Sequence, residues 1–255
     1  VLGPGLNMKR NPLCGRNFEY FSEDPYLAGK LAAAYVRGIQ EKGVDVVIKH
    51  FALNDSEQDR IGLGVWVNEQ AAREIYLKAY QAAFEESGAN GVMTAYTRWG
   101  AVWSGGVKGL MTNILREEWG NNGMSITDNV ITPMVTGADG VLAGTTTYDA
   151  MLPNINNELP KYENDPVMVA AMREACHHNL YAMANSSGMN GVGPDTIVHA
   201  KEPVLILAMK VVTVVLVILF VGAAVLWTMG KKKWKKTDAY LNYQTLRRAI
   251  KDEKK

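Results

Sequence analysis

Cysteine is nearly missing from this sequence. Cys14 and Cys176 are the only two in 255 residues, which excludes a disulfide framework and any cysteine-spaced metal site and leaves two free thiols. Histidine is scarce too, at four. Two of them, His177 and His178, are neighbours in a helix-like segment, where adjacent side chains diverge by about 100° and suit no shared metal, so they are expected at the surface rather than in a site. No metal ion and no cofactor is expected. Net charge is almost absent at +1, but residues 231–255 hold ten Lys or Arg against three acids, a local +7 that leaves −6 for residues 1–230. That polarity argues against a nucleic-acid-binding body and for a basic tail beside a membrane. A starting methionine and an apolar leader are lacking as well. Residues 1–5 already read as the end of a strand, so the sequence is expected to begin inside a domain, and the lack of a leader says nothing about export.

Apolar residues are plentiful at 47%, with 9% aromatic, enough for a large core. Strand-like and helix-like segments alternate through the first 185 residues or so. Strands are predicted at 1–6, 45–53, 91–96, 125–128 and 140–143, and helices at 26–42, 69–87, 110–119 and 166–184. The second helix is expected to start from Asn68 and to turn Ala72, Ile75, Tyr76, Ala79 and Ala83 to one face. This βα alternation predicts an α/β fold with a parallel sheet and outer helices. About five βα units amount to a partial (β/α)8 barrel of TIM type.

The strands end on chemistry. Gly123-Met124-Ser125-Ile126-Thr127-Asp128-Asn129-Val130 reads as a buried strand that pushes one carboxylate, Asp128, out at its C-terminal end. Asp128 as a mere cap for the next helix is the plain alternative. Lys49 and His50 close the run Val46-Val47-Ile48, and Tyr96 closes the next. Singly, such a lysine is an ordinary solvated turn residue and such a histidine a hydrogen-bonded core residue. Together on one barrel rim they form what a sugar site needs: polar groups for hydroxyls and a carboxylate for an oxocarbenium-like transition state.

Four motifs carry a family resemblance. Cys14-Gly15-Arg16-Asn17-Phe18-Glu19-Tyr20-Phe21-Ser22-Glu23-Asp24-Pro25, then Lys49-His50-Phe51-Ala52-Leu53-Asn54-Asp55 with Glu57 and Arg60, then Val92-Met93-Thr94-Ala95-Tyr96, then Ser125-Ile126-Thr127-Asp128 follow one another in order and spacing. This series resembles the barrel domain of glycoside hydrolase family 3, the β-glucosidase and β-xylosidase family. The resemblance implies a retaining O-glycosyl hydrolase with Asp128 as nucleophile and with Arg16, Lys49, His50, Arg60 and Tyr96 contacting the sugar. It implies a glucose- or xylose-like substrate, since the pattern of the N-acetylglucosaminidase branch is lacking. Two departures stand out: Asn129 replaces the usual Trp after the nucleophile, and Gly144-Thr145-Thr146-Thr147-Tyr148-Asp149 departs from the commoner loop. They motivate the rival expectation of a membrane-tethered carbohydrate-binding protein with impaired catalysis.

Residues 183–191 are similar to the segment that closes the barrel in members with reversed domain order. The expected partition is barrel at 1–191, linker at 192–202, transmembrane helix at 203–229 and basic cytoplasmic tail at 230–255. Residues 211–229 are 19 in a row without charge, close to the ~20 that span a bilayer, and residues 240–255 are expected as a short amphipathic helix or a disordered tail. The chain is thus expected at the cell membrane as a single-pass protein, its catalytic domain outside, with an oligosaccharide or glycoside as substrate and no nucleic-acid partner. The second carboxyl group of a retaining glycosidase is expected on an α/β sandwich domain encoded upstream of Val1. Glu19, Glu57 and Asp149 are the in-chain candidates should that fail.

Overall fold

The computed structural model describes residues 1–130, 135–150, 158–190, 192–193, 195–197 and 202–252. The chain forms two units, residues 1–192 and 193–255, described separately.

In the first unit, β1 (Leu2–Gly5) leads through a long loop to α1 (Pro25–Gln40) and β2 (Val47–Phe51). Asp24 starts α1 by accepting from the N–H groups of Tyr26 (2.8 Å) and Leu27 (3.1 Å), with Pro25 in the first turn where its missing N–H costs nothing. A two-residue strand, β3 (Gly64–Val65), precedes a long helical segment opened by Asn68, whose side chain accepts from Ala71 N–H at 2.8 Å. That segment runs as α2 (Glu69–Ala71), a π-helical turn (Ala72–Tyr76) and α3 (Lys78–Ser87). The π turn corrects the predicted face. Ile75 within it is exposed, and the helix beyond is rotated so that Leu77 and Tyr80 join Ala79 and Ala83 in the core. Gly88, at φ 65°, ends α3 in the left-handed region.

Then come β4 (Gly91–Thr94), the hairpin of β5 (Arg98–Trp99) and β6 (Val102–Trp103), a π-helix (Gly109–Glu118) and β7 (Met124–Thr127). Strands β1, β2, β4 and β7 form one parallel sheet in that order, and β3, β5 and β6 a smaller one. Helices cover the sheet, and the core lies between, with Leu6, Ile48 and Val92 meeting Val36, Tyr80, Met111 and Leu115. Among the described residues β1 pairs only with β2, and Leu2 on it and Val1 before it are exposed.

The strand predicted at 140–143 is a helix instead, α4 (Gly137–Ala143). A three-residue apolar run between Gly140 and Gly144 fits either state, and tertiary contact decides: Tyr148 donates to the carbonyl of Gly137 at 2.7 Å. The place beside β7 is taken by the next residues, through parallel bridges Ile126 to Thr147 and Val130 to Ala150. The unit ends with α5 (Pro166–Ala184), capped by Asp165 as Asp24 caps α1. On it His177 is exposed, but His178 is buried, its Nδ1 2.8 Å from the carbonyl oxygen of Asn122. His178 is therefore a packing residue rather than the expected surface one. Of the predicted closing segment 183–191, Gly191 lies outside the described residues.

The second unit holds α6 (Val204–Trp234), 31 residues with a mean hydropathy of 3.1 over its most apolar stretch, long and apolar enough to cross a membrane. It outruns the predicted 203–229 by continuing through the lysines to Trp234. The tail is helical as α7 (Asp238–Asp252), with residues 253–255 outside the described ones. Within the linker, residues 194 and 198–201 are outside them too.

Candidate active site

The C-terminal ends of the parallel strands open onto a cavity of about 610 Å³ lined by Arg16, Lys49, His50, Arg60 and Asp128, five of the six predicted site residues. Lys49 and His50 come from β2, Asp128 directly follows β7, and Arg16 and Arg60 reach in from the loops after β1 and β2. Tyr96, two residues beyond β4, lies under Arg60, whose guanidinium carbon is 4.7 Å from the ring centroid. The phenol donates to the backbone carbonyl of Asn129. It thus fixes the residue after Asp128 rather than Asp128 itself.

Backbone anchoring aims these groups. Asn7 pairs with His50 as a strand would, its side chain donating to the His50 carbonyl and accepting from the His50 N–H, both at 3.0 Å. Tyr80 donates to the same carbonyl at 2.7 Å. Two carboxylates hold the cations. Glu19 takes Arg16 Nε at 2.8 Å and Lys49 Nζ at 2.8 Å. Glu57 meets Arg60 at 3.1 Å and Arg16 at 3.6 Å and accepts from Asn54 at 2.8 Å.

Asp128 is placed differently. One oxygen accepts from the Asn129 N–H at 2.8 Å, while the other stands 3.7 Å from His50 Nε2 and 3.8 Å from Arg60 Nη1, beyond hydrogen-bond reach. Burial pushes its carboxyl above the ordinary value, and the Asn129 N–H with Arg60, Arg16 and Lys49 pulls back. His50 is held neutral: burial first, then the charges of Arg16, Lys49 and Arg60, drive it down to about 2. Arg16 Nη1 lies 3.1 Å from His50 Nε2, and a guanidinium only donates, which places the imidazole proton on Nδ1. Burial, reinforced by Asp128, pushes the Tyr96 phenol up to about 12 and keeps it a donor. Burial alone would raise Glu19, but hydrogen bonds from Lys49 and Arg16 hold it below the usual range. Chemically, the cavity presents Asp128 as an under-bonded carboxylate among fixed cationic donors, which suits a hydroxyl-rich ligand with positive charge developing next to it.

The three in-chain alternatives for a second acid fare unequally. Glu19 and Glu57 are each occupied by two cations, whereas Asp149 lines the cavity beside Asp128 on the segment bridged to β7. Asn7 and Tyr80 were missed from the sequence. Their spacing of 43 and 30 residues from His50 leaves no local signal. Among the described residues no cluster of three or more His, Cys, Asp or Glu side chains could hold a metal ion.

Residues 1–146 match the Glycosyl hydrolase family 3 N terminal domain. The chain is 48% identical over 128 residues to a beta-glucosidase of Ruminococcus albus, covering 50% of this chain and 14% of that protein. It is 39% identical over 174 residues to an exo-alpha-(1->6)-L-arabinopyranosidase of Bifidobacterium longum, covering 68% and 21%. Among solved structures it resembles beta-glucosidase 3B of Thermotoga neapolitana in complex with glucose, at TM-score 0.69 and 31% identity over 76% of this chain and 29% of that one. The beta-glucosidase of Bifidobacterium adolescentis matches at TM-score 0.68 and 32% identity over 78% and 29%. The chain thus spans between 14% and 21% of the length of these curated relatives.

Proposed function

Since this chain belongs to glycoside hydrolase family 3, we propose that it forms the nucleophile-bearing barrel of a retaining β-glycosidase that removes terminal β-linked glucose or a related sugar from oligosaccharides. The observation that carries this reading is the under-bonded oxygen of Asp128, facing a cavity whose cations are already braced by other carboxylates. That oxygen attacks the anomeric carbon as the glycosidic bond breaks, giving a covalent glycosyl-enzyme that water then hydrolyses. Arg16, Lys49 and Arg60 donate to sugar hydroxyls, and neutral His50, whose Nε2 accepts from Arg16, lines the same cavity.

A general acid about 5 Å from the nucleophile must protonate the leaving oxygen. Glu19 and Glu57 are engaged with cations, which leaves Asp149 as the in-chain candidate; the proposed source is an α/β sandwich domain of the same protein, as the family resemblance implies. Further barrel strands are proposed to pair with the free edge of β1. This also accounts for the exposed stripe Leu27, Leu31 and Tyr35 on α1, an apolar face that a neighbouring helix of the complete barrel would cover. Helix α6 is proposed as a single membrane span with the barrel outside the cell.

In the complete protein, Asp128→Ala should abolish turnover of an aryl β-glucoside while sugar binding persists in part. Azide should restore product as the inverted glycosyl azide. Near-normal turnover by that variant would remove Asp128 from the mechanism. Glucose binding without any turnover by the unsubstituted protein would favour the carbohydrate-binding reading that Asn129 motivates.

A further inference from the structure

Helix α7 carries an exposed apolar face. Tyr243, Leu246 and Ile250 fall at i, i+3 and i+7 along one side of Asp238–Asp252 and are 47%, 65% and 49% exposed, and no residue of the helix is buried. A 15-residue helix that buries nothing is marginal in water, so its stability must come from a surface. Arg247 and Lys251 flank the stripe, and Arg248 lies farther round. At its N-terminal end the stripe meets Trp234, whose ring is 5.7 Å from that of Tyr243 and 4.9 Å from that of Tyr240. Just before it stand Lys231, Lys232 and Lys233, with the Lys231 ammonium 4.8 Å above the Trp227 ring.

We propose that α7 lies in the interface of the membrane that α6 crosses, with Tyr243, Leu246 and Ile250 among the acyl chains and the basic residues on anionic headgroups. The inference rests on the reading of α6 as a span. Two observations select this occupant. The stripe continues directly from the aromatic end of the apolar helix. The +7 of residues 231–255 complements phosphatidylserine-type headgroups, whose pull on a basic residue at the surface is substantial, whereas an apolar protein groove would leave those charges unanswered. Docked in this way, the tail would hold the end of α6 at the headgroup level and report the charge of that leaflet.

Hydrogen exchange on the full chain in lipid nanodiscs tests this, with discs of phosphatidylcholine alone or mixed with phosphatidylserine. The amides of residues 238–252 should exchange roughly tenfold more slowly, or better, in the anionic discs. Leu246→Glu with Ile250→Glu should remove that protection in both discs. Arg247→Gln, Arg248→Gln and Lys251→Gln together should remove only the difference between the lipids. Fast exchange of residues 238–252 in both discs, with residues 211–229 protected, would overturn the docking and leave the span standing. Exchange at residues 211–229 would overturn the span and the docking with it. Equal protection in both lipids would refute the role of headgroup charge.

Discussion

Glu57 holds two guanidiniums at once, and that makes it a positioning residue rather than an acid. Glu57→Gln keeps the shape of the side chain and the partner Asn54 but removes the charge that orients Arg16 and Arg60. In the complete protein kcat/KM on an aryl glucoside should fall on the order of 100-fold, because small misplacements of positioning groups cost that much; unchanged kinetics would show that the brace is idle. His50 makes a second prediction. Its folded pKa of about 2 lies far below the unfolded value, so below about pH 6.5 the unfolded chain takes up a proton that the native protein refuses, and stability is lost as pH falls. Buried Asp55, raised to about 6, acts oppositely: between about pH 6 and 4 the native state keeps a proton that the unfolded chain releases. The two oppose each other in the parent protein. Removing His50 as His50→Gln should therefore shift the difference in Tm between about pH 5 and about pH 7 in favour of pH 5. An unaltered difference in paired melts would refute the assignment.

At the scale of elements, the β4–β7 junction is the least forgiving. A Cβ on Gly123 would sit 1.8 Å from the Asn90 carbonyl oxygen, which accepts from Met124 N–H at 2.9 Å and starts the register of that pair. Gly123→Ala should cost about 3 kcal/mol or more, since backbone rather than a flexible side chain must give way. Asp165→Ala, which removes the cap of α5, should cost only about 1 kcal/mol. Chemical denaturation of both variants checks the order, and a Gly123→Ala loss no larger than that of Asp165→Ala would refute the tight approach. The cap at Asn68 was legible from the sequence because its side chain acts on a neighbour three residues away. Helix α4 was not, because three apolar residues carry no period and its contact with Tyr148 comes from 11 residues beyond Gly137.

At the scale of the whole molecule, the proposed span carries a prediction of orientation. Lys231, Lys232, Lys233, Lys235 and Lys236 sit together at the end of α6, and the positive-inside rule puts such a cluster in the cytoplasm. Protease added to intact cells should release the barrel and spare α7. A barrel protected until lysis would reverse the topology.

The sequence by itself determined the βα alternation through β7, the polar residues closing β2, β4 and β7, the family, and the apolar helix with its basic end. Each depends on residue type at short, regular spacing: periods of 2 and 3.6, a motif, or an uninterrupted apolar run. Only the tertiary structure decided that Arg16 and Arg60 enter the cavity from two loops, that Glu19 and Glu57 are spent on bracing them, and that Asn7 and Tyr80 hold the His50 backbone. It also decided that His178 is buried. Glu19 with Arg16 and Glu57 with Arg60 are three residues apart, but the contacts of Glu57 with Arg16, of Glu19 with Lys49, and of Asn7 and Tyr80 with His50 join residues tens of positions apart, and no local pattern records those, because their geometry is set by how the strands and helices pack rather than by their own periodicity.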